Sequence, residues 1–235
     1  MWGGVKTLLQ IKNALRETAF YKWKTEWENK RLAKKRAPYW DNLKALIGDD
    51  TSIISSNCFA GRIMQDLGMR YNTPTLGLYI WYPDYIELLK NLKYYMTEAK
   101  IEFVEHSKYP LGNERRAKRS ITHHWYPIGL LDGKVEIQFL HYHTEEEAAE
   151  KWYRRAARIN WDKLLVIGME QNLCSEEDIR AFESLPYEHK VFFSTKEFPE
   201  LKSCVFMSEF EGRDAVGDPY KYGHVFYKKL IEKLR

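Results

Sequence analysis

From residue 50 onwards the apolar positions switch repeatedly between short continuous runs and helical spacing, the pattern of alternating strands and helices. Ser52-Ile53-Ile54-Ser55-Ser56 predicts a buried strand leading into a helix over 60–67, where Ile63, Met64 and Leu67 share a face and Gly68 suits the end. Thr75 to Ile80 predicts a second strand, and Pro83-Asp84 opens a helix to about Ala99 with Ile86, Leu89, Leu92 and Met96 on one side. Ile101 to His106 alternates as a half-buried strand. Strands near 126–131 and 135–141 flank Asp132-Gly133, a short-hairpin signal. Thr144 and Glu147 form a capping-box pattern for a helix over 144–159. Lys163 to Gly168, Lys190 to Phe193 and Ser203 to Met207 predict further strands, with helices over 175–184 and 222–234. The stretch 107–124 is expected to be irregular. Ahead of all this, residues 5–36 hold no Gly or Pro and predict a helix ended by Pro38. The expected fold is therefore α/β: three layers around a mainly parallel sheet, with a β-hairpin addition and an N-terminal helical arm. The boundary falls between an arm, 1–48, and an α/β domain, 49–235.

At 235 residues the chain can bury a full core without covalent staples. Cys58, Cys174 and Cys204 are an odd number without Cys-x-x-Cys spacing, which implies neither a disulfide framework nor a zinc ribbon and favours a reducing, cytoplasmic setting. No segment approaches the roughly 20 apolar residues of a membrane span, and no signal peptide is expected. The formal net charge is +4, but residues 1–40 carry ten Lys or Arg against three Glu, so the remainder is slightly acidic. The arm also holds Trp2, Trp23, Trp27 and Trp40. Cations mixed with tryptophan suit the headgroup region of anionic lipid, which makes peripheral contact with the inner membrane face through residues 1–40 one expectation. The plainer alternative is a helix packed on its own domain through Leu8, Leu9, Ile11, Leu15 and Phe20. Nucleic acid is not expected as a partner, because no recognition motif accompanies the charge.

Candidate chemistry gathers at four places. The turn Ser55-Ser56-Asn57-Cys58 ends a strand where an α/β fold presents reactive groups. Cys58 or Ser56 is a candidate nucleophile and Asn57 a candidate oxyanion donor, against the bland alternative that Cys58 is a small buried hydrophobe. His141 and His143, two apart near a strand end, are candidate general bases, and His123-His124 candidate substrate contacts; a surface histidine pair is the alternative, and no metal site is expected. Arg154, Arg155 and Arg158 with Asn160 are candidate phosphate binders, although favourable placement at a helix C-terminus also accounts for the arginines. Asn72, Thr73 and Thr75 form a turn that could line the same sheet edge. The chain lacks Gly-x-Gly-x-x-Gly, phosphate-loop, Gly-x-Ser-x-Gly and His-Glu-x-x-His motifs, so the common nucleotide, hydrolase and zinc-protease classes lose support.

Ile-Ser-Ser-Asn-Cys-Phe-Ala-Gly at 54–61, Tyr-Asn-Thr-Pro-Thr-Leu-Gly-Leu at 71–78 and Lys-Trp-Tyr-Arg-Arg-Ala-Ala-Arg-Ile-Asn at 151–160 together resemble a bacterial family labelled exopolysaccharide biosynthesis protein, a domain of unknown function. Leu185-Pro186-Tyr187, Lys190-Val191-Phe192-Phe193 and Gly217-Asp218 extend the likeness over roughly residues 50–230. Phe59 and Ala60 depart from that pattern, where Trp and Gly are commoner. The resemblance implies a setting in polysaccharide or capsule assembly. A shorter likeness links the Asn-Cys turn to capsule enzymes regarded as coenzyme A-dependent acyltransferases. The resulting expectation is a transferase moving an acyl group from coenzyme A or acetyl-coenzyme A, as co-substrate, to a hydroxyl of a sugar or lipid-linked glycan. The alternatives are a glycosyl or phosphosugar transferase, or a non-catalytic membrane-docked module that binds a glycan or partner.

Overall fold

The computed structural model describes residues 19–122 and 125–235. In chain order these form α1 (Ala19–Arg36), a 3-10 turn (Ala37–Tyr39), α2 (Trp40–Ile47), β1 (Ser52–Ser55), α3 (Phe59–Asp66), β2 (Tyr79–Ile80), α4 (Tyr82–Lys90), α5 (Leu92–Thr97), β3 (Ile101–Val104) and α6 (Pro110–Thr122). Then follow β4 (Ile128–Leu131), β5 (Val135–Gln138), α7 (Glu145–Ala156), β6 (Leu164–Met169), α8 (Glu176–Glu183), β7 (Lys190–Ser194), β8 (Cys204–Phe206) and α9 (Gly223–Leu234).

The continuous apolar runs build a parallel sheet in the order β1-β6-β7-β8. Alternate residues of each strand face opposite sides. Ile53, Leu165, Ile167, Val191 and Phe193 meet α3 and α9 through Phe59, Ile63 and Phe226, while Ile54, Val166 and Phe192 meet α4, α7 and α8 through Tyr85, Trp152 and Phe182. Helices thus cover both faces, as parallel strands require. The hairpin is more than an addition: β2-β5-β4-β3 form a separate antiparallel sheet whose Ile80, Ile137 and Leu131 join the second core. Its β4–β5 turn places Asp132 and Gly133 at φ 46° and 68°, the left-handed pair that suits a tight hairpin.

Three local expectations need correction. The segment 107–124 is helical rather than irregular: Pro110 opens α6, and Asn113 anchors its start by exchanging two 2.8 Å hydrogen bonds with the Ser107 backbone. The helix expected over 83–99 breaks at Asn91, whose φ of −130° separates α4 from α5. Only Tyr79 and Ile80 of the 75–80 strand pair in a sheet, because Gly77 at φ 71° turns the chain just before them.

For the N-terminal arm, residues 5–18 and Trp2 lie outside the described residues. The end of α1 is docked on the α/β body. Leu32 and Arg36 are buried, and the Arg36 guanidinium grips both carboxylate oxygens of Asp66, with Nε to Oδ2 at 2.5 Å and Nη2 to Oδ1 at 3.1 Å. Among the described residues no helix is long and apolar enough to cross a membrane.

Candidate functional site

β1 delivers the turn at 56–58 to the carboxyl edge of the parallel sheet, the edge where open α/β sheets bind ligands. Two side chains of the turn cap α3. Ser55 Oγ accepts from the Ala60 N–H at 3.1 Å and donates to the Asn57 carbonyl at 2.7 Å, and Asn57 Oδ1 accepts from the Phe59 N–H at 3.0 Å. The amide nitrogen of Asn57 donates to Gln171 Oε1 at 3.1 Å, and Gln171 Nε2 donates to the carbonyls of Val216 and Gly217 at 2.9 and 3.2 Å. Asn57 thus lines the smaller cleft with its amide engaged by Gln171, and through Gln171 it positions the loop carrying Asp218. Ser56 is buried and lines neither cleft described below, which removes it as a nucleophile.

Cys58 remains at the surface of the turn, partly exposed between two clefts. The larger, about 610 Å³, is walled by Arg62, Tyr71, His141, Tyr142, Arg155 and Tyr220; the smaller, about 380 Å³, by Tyr79, Arg115, Arg119, Tyr126 and Asn172. Cys58, Leu140, Asp218 and Pro219 border both. Burial, reinforced by the negative charge of Asp218, pushes the Cys58 thiol up from 9.0 to about 11. Its S–H points at the Leu78 carbonyl 3.6 Å away. The environment is thus the reverse of one that activates a thiolate.

Cations ring this edge. Arg155 donates to the Tyr142 hydroxyl at 2.7 Å and lies over the Tyr71 ring at 5.5 Å. Arg115 donates to Asn172 Oδ1 at 2.8 Å and lies over Trp81 at 4.7 Å and Tyr79 at 5.8 Å. Neither has a carboxylate partner among the described residues, so uncharged groups orient both guanidinium groups without neutralising them. Lys151 also reaches the larger cleft but is held by Glu147 at 2.5 Å. Burial raises the Tyr142 hydroxyl against the opposing pull of Arg155, and raises Tyr79 and Tyr126 across the smaller cleft, so all three are neutral hydrogen-bonding groups near pH 7.

Of the candidates read from the sequence, Cys58, His141 and Arg155 converge on the larger cleft. The histidines do not share a strand face, because β5 ends at Gln138. His141 sits in the following turn with its N–H on the Gly77 carbonyl at 2.9 Å, whereas the His143 N–H binds Glu147 beside the start of α7. Arg154 pairs with Glu150, and Arg158 reaches the Tyr71 carbonyl at 3.4 Å; neither lines a cleft described here. Asn160 lies at the opposite end of β1, bonded to Ser52 and Asp50. Asn72, Thr73 and Thr75 cover the open edge of β1 instead of binding a substrate: Asn72 donates to the Asp50 and Thr51 carbonyls, and Thr75 Oγ1 accepts from the Ser55 N–H, with Thr73 on Thr75. His123 and His124 lie outside the described residues. Sequence reading missed Arg115, Arg119 and Asp218, although the four-residue spacing of the two arginines on a helix was available as a signal. Among the described residues no group of three His, Cys, Asp or Glu side chains is placed to hold a metal ion.

Residues 29–235 match a family described as a domain of unknown function, DUF1919. The match begins within α1 and so takes in the docked end of the arm, ahead of the stretch where the sequence resemblance started. An uncharacterized protein of Haemophilus influenzae is 32% identical over 191 residues, which cover 81% of this chain and 84% of that protein.

Proposed function

This chain belongs to the DUF1919 family, whose description carries no activity, and from the chemistry of its carboxyl-edge clefts we propose that it is a transferase using a phosphate-bearing donor. Most concretely, it moves an acyl group from coenzyme A to a hydroxyl of a sugar or lipid-linked glycan in surface-polysaccharide biosynthesis, a setting that rests on the sequence resemblance. The observation that carries the reading is the pair Arg155 and Arg115, one in each cleft, each held by aromatic faces and neutral oxygens. Such guanidinium groups are placed to make paired hydrogen bonds to phosphate.

In the reaction the sugar oxygen bonds the acyl carbon as the thioester C–S bond breaks. The hydroxyl proton passes to His141 and onward to the departing thiolate, so atoms and charge balance. In this reading the transfer is direct, without an acyl-enzyme: Cys58, whose thiol burial holds above its ordinary range, shapes the wall between the clefts. The free thiols of Cys58, Cys174 and Cys204 suit the cytoplasm, where this donor would be met.

The test is calorimetric titration with coenzyme A, acetyl-coenzyme A and nucleotide sugars, followed by transfer of labelled acetyl to glycan acceptors. Saturable coenzyme A binding that weakens in Arg155→Ala and Arg115→Ala supports the reading. Binding of nucleotide sugars alone replaces it with glycosyl or phosphosugar transfer, since their diphosphate meets the same arginines. Binding of neither donor removes both and leaves a non-catalytic module.

A further inference from the structure

Helix α1 has two faces of opposite character. Asn29, Leu32 and Arg36 follow the i, i+3, i+7 spacing and form the docked face: Leu32 and Arg36 are buried, and Asn29 accepts from the Tyr220 hydroxyl. Phe20, Trp23 and Trp27 follow the same spacing on roughly the opposite side of the helix and are 71%, 59% and 55% exposed. Three large aromatic groups in one solvent-facing row need an occupant.

The charge around the row says which. Lys24, Arg31 and Lys35 lie along one flank and Lys30 and Lys34 along the other, all exposed, with Arg31 drawn over the Trp27 ring at 5.6 Å. Of the two acidic residues of α1, Glu26 reaches Lys30 at 4.0 Å and Glu28 reaches Arg31 at 3.9 Å; Lys22, Lys24, Lys34 and Lys35 have no carboxylate partner among the described residues. A second copy of this chain would set these cations against themselves. An anionic bilayer instead accepts the rings at the level of its headgroups and the ammonium groups among its phosphates.

We infer that the Phe20-Trp23-Trp27 face of α1 binds the surface of anionic membranes, lying flat in the interface. The docked face of the same helix touches Tyr220, a wall of the larger cleft. A surface-bound α1 therefore holds that cleft within about one helix diameter, roughly 10–12 Å, of the headgroups. That distance suits a substrate anchored in lipid.

The test is flotation of the full chain with vesicles of phosphatidylcholine and phosphatidylglycerol in equal amounts, against phosphatidylcholine alone, at low and raised salt. Binding should require the anionic lipid and weaken as salt shortens the reach of the charges. The double variant Lys34→Glu, Lys35→Glu should lower the partition constant at least about 25-fold, from about fivefold for each cation lost. The triple variant Phe20→Ser, Trp23→Ser, Trp27→Ser should leave only a weak attraction that salt abolishes. All five substituted side chains are exposed, so thermal unfolding should not move and folding is not at issue. Equal binding of parent and variants, equal binding to both vesicle types, or no binding at low salt overturns the inference. So does a dimer that the triple variant dissociates, which would give the face to a second copy.

Discussion

Replacing Cys58 separates two chemistries that its position at the site would otherwise leave confounded. With the thiol at about 11, roughly one molecule in ten thousand carries a thiolate at pH 7, against about one in a hundred for a thiol at its ordinary 9.0. Iodoacetamide should therefore modify Cys58 about 100-fold more slowly than a free cysteine at pH 7, with the rate still rising above pH 9. Mass spectrometry of peptides from timed quenches reads this directly. Among the three thiols Cys58 should still react first, because burial drives Cys204 to about 12 and Cys174 higher again. Stability follows with a definite sign. The native state holds the protonated thiol more tightly than the unfolded chain does, so the contribution is complete below pH 9 and is lost as pH rises from 9 towards 11. At 1.36 kcal/mol per pH unit the loss is at most about 2.7 kcal/mol, and less because Cys58 is partly exposed. Cys58→Ala should flatten that part of the pH profile of unfolding. In the direct-transfer mechanism Cys58→Ser keeps turnover within about tenfold, whereas deleting a covalent nucleophile removes roughly 10⁴-fold or more. Alkylation of Cys58 faster than free cysteine at pH 7, or collapse of turnover in Cys58→Ser, would falsify the argument.

Other substitutions test the surrounding structure. Arg155→Ala and Arg115→Ala should each weaken a phosphate-bearing donor by roughly 10- to 150-fold, the range for losing a hydrogen bond to a charged group, as read by titration calorimetry; unchanged affinity in both would remove phosphate from these clefts. Arg36→Ala removes the two-pronged partner of the buried Asp66 carboxylate and leaves it only Tyr227 and the more distant Arg62 at 3.9 Å, so unfolding in urea should show a loss towards the lower end of about 3–5 kcal/mol, and a loss under about 1 kcal/mol would mean the pair is solvated. Gly77→Ala puts a side chain at φ 71°, a cost of roughly 1–2 kcal/mol. The new Cβ would stand 3.3 Å from Tyr142 Cε2 and 3.4 Å from His141 Cβ. Donor binding should accordingly fall further than stability does; wild-type binding in a destabilised variant would show that His141 and Tyr142 do not depend on this contact.

The elements visible in the sequence are those whose cause is local. Thr144 caps α7 through the Glu147 N–H at 3.1 Å, Ser175 and Asp178 close a reciprocal capping box on α8, and Asp132-Gly133 makes the hairpin, all decided by residues within a few positions. Helix α6 was hidden because its side chains read as a solvated basic stretch, yet Arg116 is almost fully buried, donating to the Tyr126 carbonyl at 3.1 Å and to that of Glu105. No period in residues 107–124 announces an arginine whose partners lie outside the helix. The edge role of Asn72, Thr73 and Thr75 was hidden for a similar reason. β1 is the outermost strand of its sheet, so its free backbone groups needed cover from elsewhere, and a polar turn distant in sequence supplies it. The candidate site was half visible. The turn after β1 follows from strand-then-helix order, but Arg115, His141, Arg155 and Asp218 line the clefts beside it only because the second sheet is joined to that end of β1, with the Ile80 N–H on the Ser56 carbonyl at 2.8 Å.

A cation's partner, more than its presence, marks it as available to a ligand. Arg154 faces Glu150, Lys163 faces Asp50, Arg180 faces Glu200 and Lys196 faces Glu176, and any anion reaching these groups must first displace a carboxylate. Those pairs are exposed, worth little to stability, and self-neutralising. Arg115 and Arg155 are constrained instead by aromatic faces and neutral oxygens, which limit the side-chain entropy lost when an anion arrives while leaving the charge in place. Asp218 lies between them as the carboxylate common to both clefts, held to its own loop by the Tyr220 N–H at 2.8 Å. An incoming phosphate is therefore drawn to the two outer arginines and repelled from the centre. In the transfer proposed above, that division would leave the space beside Cys58 and His141 to the uncharged, reacting end of the donor.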